Sequence, residues 1–471
     1  MSIRRPELHC DGSHRHELAA AICDPLIPLI GRPPHDIVFR RQDGGVTAAL
    51  FLAQARHLAA GLPEASHVVN LCQDRFCFAV AFAAALLRGQ VSLLSSDRSA
   101  EQLRGMAEAY PGLYVLADEP GVETNLPLYP VAARVSDPAW SGLDSPSIRA
   151  TQLAAVVFTS GSTGEPVAHR KLWGALAARS RDAGRRFRMR AGQPTSIVGT
   201  IPAQHMYGFE TTVLLPLHAP VSSWCGPAFF PRDVYAALEA VPDRRILVTT
   251  PLQIRALLQA ETGLPGLDRV ISATAPLHAE LAAEAERRWR TEVHEIFGAT
   301  EVGSIASRRT VAGEVWTTFP RVRLHASRAS TGEEDILVAG PFAEPYPLSD
   351  LVERLDGTRF RLLGRRTDVV KLGGRRTTLA ALNHVLTSIE GVSDGLFVAP
   401  DDLDERPTAR LLAFVVAPEL SAEAVMAGLR GRVDPVFLPR RVVRVDALPR
   451  NPTGKLPEQA LASLRARVGE G

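Results

Sequence analysis

An apolar run that breaks into a glycine- and hydroxyl-rich loop constrains this chain most. Leu153–Phe158 reads as a buried strand, and Thr159-Ser160-Gly161-Ser162-Thr163-Gly164 follows it directly. Glycines let the backbone turn sharply and bring successive N–H groups to an anion, and the hydroxyls add donors that can wrap a phosphate chain. No lysine follows at the place the common GxxxxGK[ST] loop requires, so this is a different phosphate loop. Two further segments stand far downstream: Phe297-Gly298-Ala299-Thr300-Glu301, with a carboxylate just past an apolar run, and Asn451-Pro452-Thr453-Gly454-Lys455, a rigid turn presenting one cation. Each is weak alone. Their order and wide spacing make the combination specific.

At 471 residues the chain suits a large domain plus a smaller one, and 46% hydrophobic residues suffice for a sizeable core. A net charge of +2 gives no global bias toward nucleic acid or acidic membranes. The five cysteines, odd in number and without a CxxC pair, read as reduced thiols of a cytoplasmic protein. No apolar run reaches the ~18 residues of a membrane span, and the N-terminal segment lacks a signal-peptide core. His9, His14 and His16 read as a frayed terminus rather than a metal site.

Along the chain, Phe76–Leu87 is apolar nearly all round and predicts a buried helix. Val91–Leu94 reads as a strand, and Ser99–Glu108 as a helix capped by Ser99. The Pro/Ser/Asp-rich stretch 135–150 reads as an exposed linker. Strands are predicted at Ile246–Thr250, Arg269–Thr274 and Glu292–Phe297, separated by helical patterns, which argues for an α/β sheet architecture. The character changes near Gly364. Beyond it, helical patterns at Leu379–Ile389 and Ala422–Arg432 and strands at Leu396–Val398, Leu411–Val416 and Val442–Val445 suffice for a small α+β domain. The expected organisation is a large N-terminal α/β domain, 1–366, and a small mobile α+β domain, 367–471.

With these segments in view, the chain from about residue 45 onward resembles the adenylate-forming superfamily of acyl-CoA synthetases, peptide-synthetase adenylation domains and luciferases. The resemblance implies that residues 159–164 hold the β- and γ-phosphates of ATP, that Glu301 binds Mg²⁺, and that Thr300 contacts the α-phosphate. It places Phe297, Gly298 and Ala299 at one wall of the adenine site and Ala273, Thr274 and Ala275 at the other. Asp350 takes the position of the ribose-binding carboxylate. Arg365 and Lys371 belong to the interdomain segment that contacts the nucleotide, and the hinge falls on Thr367, where the family carries Asp or Lys. In Pro202–Gly208 (PAQHMYG), His205 lies near the reacting carboxylate. The acid pocket is expected to draw on Tyr207, Phe209, Trp224, Thr250 and the 272–275 strand. The family usually has Pro-Lys-Gly after the loop; here Pro166-Val167-Ala168 lacks the lysine, so the loop is expected to be mobile and weaker toward pyrophosphate.

Adenylation builds negative charge on the carboxylate oxygen and the α-phosphate. By resemblance Lys455 is the ammonium that stabilises this charge. It is one of three lysines, with Lys171 and Lys371. The basic stretch Arg179–Arg190 and Arg440, Arg441 and Arg444 would suit CoA, a phosphopantetheine arm or an acidic carrier protein, but a solvated helix face is the favoured reading of such patches. Taken together these features are similar to an ATP-dependent acid–thiol ligase. Such an enzyme activates a small carboxylic acid as acyl-AMP and passes it to CoA or an acyl carrier protein, with no nucleic-acid partner and no stable membrane insertion. The compact build, with PAQHMYGFE, VTTPLQIRALL and EIFGATEVGSIASRR, is nearest to stand-alone AMP-ligases of aryl-polyene and xanthomonadin pigment pathways, which implies an aryl acid such as 4-hydroxybenzoate. The alternatives are a fatty acyl-CoA synthetase and a non-catalytic adenylate-binding protein.

Overall fold

Helix Arg75–Leu87 forms as its composition demands. Asp74 caps it, accepting from the Cys77 N–H at 2.9 Å, and every residue from Arg75 to Leu86 is buried. Phe82 meets Trp173 and, edge-on at 4.9 Å, Phe209. Each such side chain contributes about 1.5–3 kcal/mol of burial. The computed structural model describes residues 24–469 apart from 96–97, 120–121, 123, 133–143, 161–165, 243, 261–262, 329–333, 342–344, 366–367, 373–374, 401–409, 451–455 and 457.

Two sheets build the large domain. A six-stranded sheet runs in the order Pro166–Leu172, Leu153–Ser160, Val91–Leu94, His67–Asn70, Tyr114–Ala117, Leu128–Pro130, parallel except for the antiparallel edge hairpin of its first two strands. An eleven-stranded sheet has a parallel centre that includes Glu292–Ala299, Arg269–Ser272, Arg244–Thr249 and Thr195–Gly199. Antiparallel strands Gly303–Arg309, Val315–Thr318, Arg359–Arg365 and Asp350–Arg354 extend it on one side. The predicted strands are present with shifted ends. Thr250 leaves its strand to cap helix Pro251–Gln259, accepting from the Gln253 N–H. The strand at Arg269 stops at Ser272 because Thr274 turns left-handed, φ +78°.

The stretch read as an exposed linker is in part a strand. Ser147–Arg149 pairs antiparallel with Leu26–Pro28, a partner more than a hundred residues away that local composition does not reveal. The described cysteines, Cys72, Cys77 and Cys225, are buried free thiols. Burial raises all three; Cys77 is pushed up to about 12, with Asp74 adding to the shift.

The small domain has its own core, built around Leu382, Leu386, Phe397, Val425 and Phe437. Its sheet orders Asp394–Val398, Leu412–Val416 and Arg441–Arg444, and helices Leu379–Thr387 and Ala422–Leu429 carry the two predicted helical patterns. A third helix, Glu458–Gly469, was not anticipated from the sequence. The boundary expected at 366/367, like the Thr367 hinge, lies outside the described residues. Polar contacts among the described residues join the two parts. His278 and His384 stack with their Nδ1 atoms 2.5 Å apart, Thr387 Oγ1 lies 3.1 Å from His278 Nε2, and Arg255 donates to the Ser393 carbonyl.

Candidate active site

Three turns gather at the carboxyl edge of the eleven-stranded sheet, where open α/β sheets bind their ligands. Parallel pairing aligns Thr249 with Ser272 and Ser272 with Glu295, so the segments leaving these strands emerge on one side. The first is Thr250, the second Ala273-Thr274-Ala275, the third Thr300-Glu301. Thr274 is β-branched, and a left-handed backbone there costs about 1–2 kcal/mol. Such an outlier persists only where its surroundings over-determine it, and it marks a functional turn. Phe297 packs at 5.7 Å against both Trp316 and Phe360, and a bulge between Phe297 and Gly298 redirects the strand before Ala299 and the turn.

The Thr300–Glu301 turn rests on a buried polar cradle that the sequence did not announce. Lys171, 6% exposed, donates from Nζ to the carbonyl oxygens of Thr300 (2.5 Å) and Glu301 (2.6 Å). Burial first, then Arg179, lowers its ammonium to about 7, while Glu210 and Glu301 oppose the shift. Beyond the turn, Ser304 donates from its backbone N and its Oγ to Glu210 Oε2 at 3.1 and 2.6 Å. Arg179 donates to the Ser304 carbonyl at 2.9 Å and pairs with Glu210 at 2.7 Å. Between them Gly303 has φ +79°, and a Cβ would lie 2.4 Å from Arg179 and from Glu210. The solvated-face reading of Arg179–Arg190 is thus corrected at two positions. Arg179 is buried in the cradle, and Arg186 donates to the Ser307 hydroxyl and carbonyl.

Asp350 and Arg365 are direct cross-strand partners in the antiparallel pair Asp350–Arg354/Arg359–Arg365, so two residues expected at the nucleotide meet in one register. Tyr346, also missed in the sequence, stands beside Glu301, Ser349 and Asp350. Burial, then the Glu301 charge, raises its phenol. Lys371 is exposed on the strand Val369–Leu372 of the small domain.

His205 caps the short helix Met206–Gly208, and its Nδ1 accepts from the Tyr207 N–H at 3.2 Å. The neutral ring therefore carries its proton on Nε2. Gly208 is required here, since a Cβ would sit 2.1 Å from the Pro202 carbonyl. Of the expected pocket residues, Tyr207 is buried and donates to the Ile271 carbonyl at 2.9 Å, directly before the Ala273 turn. Phe209 is instead committed to the core against Phe78 and Phe82, and Trp224 to the core with Val198 and Leu247.

Thr159 and Ser160 end one arm of the edge hairpin, opposite Val167 and Pro166. Gly161, Ser162, Thr163 and Gly164 at its tip lie outside the described residues, as does Lys455. The expected mobility of the loop falls there too. Among the described residues no cluster of three or more His, Cys, Asp or Glu side chains is arranged to hold a metal alone. A single carboxylate at a fixed turn suits Mg²⁺, which keeps several waters and binds through one or two carboxylates plus phosphates. No described helix is long and apolar enough to cross a membrane.

The AMP-binding enzyme model matches residues 43–332, and the AMP-binding enzyme C-terminal domain model matches 384–455. The chain belongs to the AMP-binding enzyme family. It is 29% identical to a 4-coumarate–CoA ligase of Rhodobacter capsulatus over 67% of this chain and 76% of that protein. It is 26% identical to an indoleacetate–CoA ligase of Aromatoleum aromaticum over 66% of this chain and 67% of that one. Its fold matches ATP-bound MatB from Rhodopseudomonas palustris with a TM-score of 0.78 at 22% identity, covering 93% of this chain and 98% of that one. It also matches o-succinylbenzoate CoA synthetase from Bacillus subtilis in complex with its acyl-adenylate, with a TM-score of 0.77 at 18% identity and the same coverage. Family and relatives together mark an AMP-forming acid–thiol ligase.

Proposed function

We propose that the chain activates an aryl carboxylic acid, 4-hydroxybenzoate or a close relative, with ATP and transfers it to a pantetheine thiol. The observation that carries this reading is that the Thr274 and Thr300–Glu301 turns leave neighbouring strands on one side, Tyr207 bonding the Ile271 carbonyl below the first and Tyr346 standing beside both Glu301 and Asp350 at the second. Asp350 accepts the two ribose hydroxyls, the turns at Ala273–Ala275 and Phe297–Ala299 flank adenine, and Arg365 and Lys371 hold the nucleotide from the hinge side. Residues Thr159–Gly164 wrap the β- and γ-phosphates. Bound through Glu301, Mg²⁺ neutralises phosphate charge.

The acid lies over Tyr207 with its carboxylate toward the Nε2–H of His205. A carboxylate oxygen attacks the α-phosphorus, the bond to the β-phosphate oxygen breaks, and pyrophosphate leaves. Thr300 and Lys455 face the charge that builds in this step. The small domain then rotates about Thr367, as conformational gating in two-step enzymes requires. The thiol sulfur attacks the acyl carbon, the C–O bond to AMP breaks, and the thiol proton is lost to water.

An aryl substrate is supported by the aryl acids named in the relatives, 4-coumarate and indoleacetate. A carrier protein as acceptor and a role in aryl-polyene-type pigment synthesis are supported by the resemblance of PAQHMYGFE, VTTPLQIRALL and EIFGATEVGSIASRR to the pigment-pathway ligases. Pyrophosphate release from ATP–Mg²⁺, measured across aryl and fatty acids without any thiol, tests the reading. Turnover with 4-hydroxybenzoate or a near analogue is expected, and CoA and carrier protein are then compared as acceptors. Turnover with fatty acids alone removes the aryl assignment. Nucleotide binding without turnover for any acid removes the ligase.

A further inference from the structure

The phosphate loop and the metal turn belong to different sheets, and one buried side chain joins them. Lys171 lies on Pro166–Leu172, the strand that leaves the loop at the edge of the six-stranded sheet. Its ammonium ends on the Thr300 and Glu301 carbonyls, in the turn of the eleven-stranded sheet. A bulge between Lys171 and Leu172 shifts the hairpin register there, and bulges re-aim side chains. We propose that Lys171 is a positioning residue of the nucleotide site, fixing the Thr300–Glu301 turn for Mg²⁺-nucleotide from the strand that carries the phosphate loop.

This inference rests on the reading of Thr300 and Glu301 as nucleotide and metal contacts. Both backbone carbonyls of the turn are drawn inward onto Lys171, while Arg179 and Glu210 clamp Ser304 from the same interior. The turn is thereby held from beneath at both ends, while the Glu301 side chain stands beside the Tyr346 phenol. The choice of lysine is also informative. Only three of the 53 lysine and arginine residues are lysines, so the chain meets most needs for a cation with arginine. An ammonium is a compact point with three donors, able to bridge two adjacent carbonyls in a confined space where a planar guanidinium fork does not fit as readily. The strand offers only exposed Val167 where the family loop has its lysine, so Lys171 is its one lysine at the site.

The test is calorimetric binding of α,β-methylene-ATP, with Mg²⁺ varied, and of AMP without Mg²⁺, for wild type, Lys171→Met, Lys171→Gln and Lys171→Arg, each with its melting temperature. Lys171→Met is expected to lose at least about tenfold in Mg²⁺-dependent affinity for the analogue, about 1.4 kcal/mol, with AMP affinity changed less than about threefold. Lys171→Gln keeps two N–H donors and should fall between Met and wild type. Lys171→Arg should recover less than Gln, because its fork does not match two neighbouring carbonyls. Wild-type Mg²⁺ dependence in Lys171→Met overturns the proposal. So does equal loss of analogue and AMP together with a lowered melting temperature, the outcome of a merely structural role. If Lys171→Met does not fold, Lys171→Gln decides: a loss confined to Mg²⁺-dependent binding supports the proposal and no loss overturns it. A wild-type chain that binds neither nucleotide defeats the functional reading first, and this inference with it.

Discussion

The molecule has two junctions, built in opposite ways. Where the two sheets of the large domain meet, the cross-links are buried and charged. Arg75, 8% exposed, donates to the carbonyls of Trp224, Gly199 and Ile201, and Lys171 and Arg179 hold the Thr300–Glu301 turn and Ser304. Where the large domain meets the small one, the described residues include polar, partly exposed contacts: His278 on His384, Thr387 on His278, Arg255 on Ser393. A buried ion or its carbonyl partner left alone is expensive, so the first junction resists opening. Exposed polar contacts exchange with water at little net loss, so the second can be remade in another pose. In the proposed reaction the first junction would hold the nucleotide turn, and the second would let the small domain change pose.

The sharpest test of this contrast is Lys455→Ala, which removes the cation that the small domain is proposed to bring to the site. Adenylation should fall roughly 10²–10³-fold, about 3–4 kcal/mol, while transfer of a preformed acyl-adenylate to thiol persists; the two half-reactions are followed separately, and equal losses defeat the assignment. Next in size, Arg75→Leu leaves buried carbonyls without donors and should lower unfolding stability by about 3 kcal/mol, read from the urea midpoint. A change below 1 kcal/mol would mean that the sheet junction is no firmer than the domain junction.

Acid should act on the domain junction through His278. Burial, with His384 and Arg255 in support and Glu280 opposing, lowers His278 to about 4. The docked pose therefore favours the neutral ring, and the released pose binds more protons between that value and about 6.5. The docking contribution of His278 is complete above pH 6.5 and is lost as pH falls toward 4. Hydrogen exchange in helix Leu379–Thr387, corrected for intrinsic rates, should accelerate over this window while the Arg75–Leu87 helix stays protected. Smaller still, Thr274→Gly relieves a left-handed backbone and should raise stability by up to about 1 kcal/mol after the entropic penalty of glycine, seen as a higher melting temperature. Least of all, His384→Ala should change global stability by less than about 0.5 kcal/mol while speeding exchange in the same small-domain helix; a larger loss of stability would place the two junctions in one class.

Much of this was legible in the sequence, because continuous apolar runs and caps are local signals. Phe76–Leu87, Val91–Leu94 and Ser99 as a cap behave as their patterns predict. The turn at Thr300–Glu301 follows its strand as expected, and Asp350 and Arg365, fifteen residues apart, meet in register. What was illegible depends on distant partners. Arg179 lies in a run of arginines that looks solvated until Glu210 and Ser304 fold onto it. Lys171 is one residue of an unremarkable His-Arg-Lys-Leu stretch, and only the hairpin bulge and the second sheet give it two carbonyls to hold. Ser147–Arg149 has the composition of a linker because its stability comes from Leu26–Pro28 rather than from its own residues. Tyr346 reaches Glu301 through a short strand that no periodicity marks.

The buried cysteines bear on how such a catalyst keeps its product. A mixed anhydride of a carboxylic acid and AMP acylates any accessible thiolate, and the protein that makes it is its nearest neighbour. Thiolate, not thiol, is the nucleophile. Cys72, Cys77 and Cys225 are enclosed and held in the protonated form at neutral pH. These three sulfurs therefore do not compete with the incoming pantetheine. In the proposed reaction these three thiols are chemically silent toward the very electrophile the chain produces, and self-inactivation through these positions is designed out of its interior.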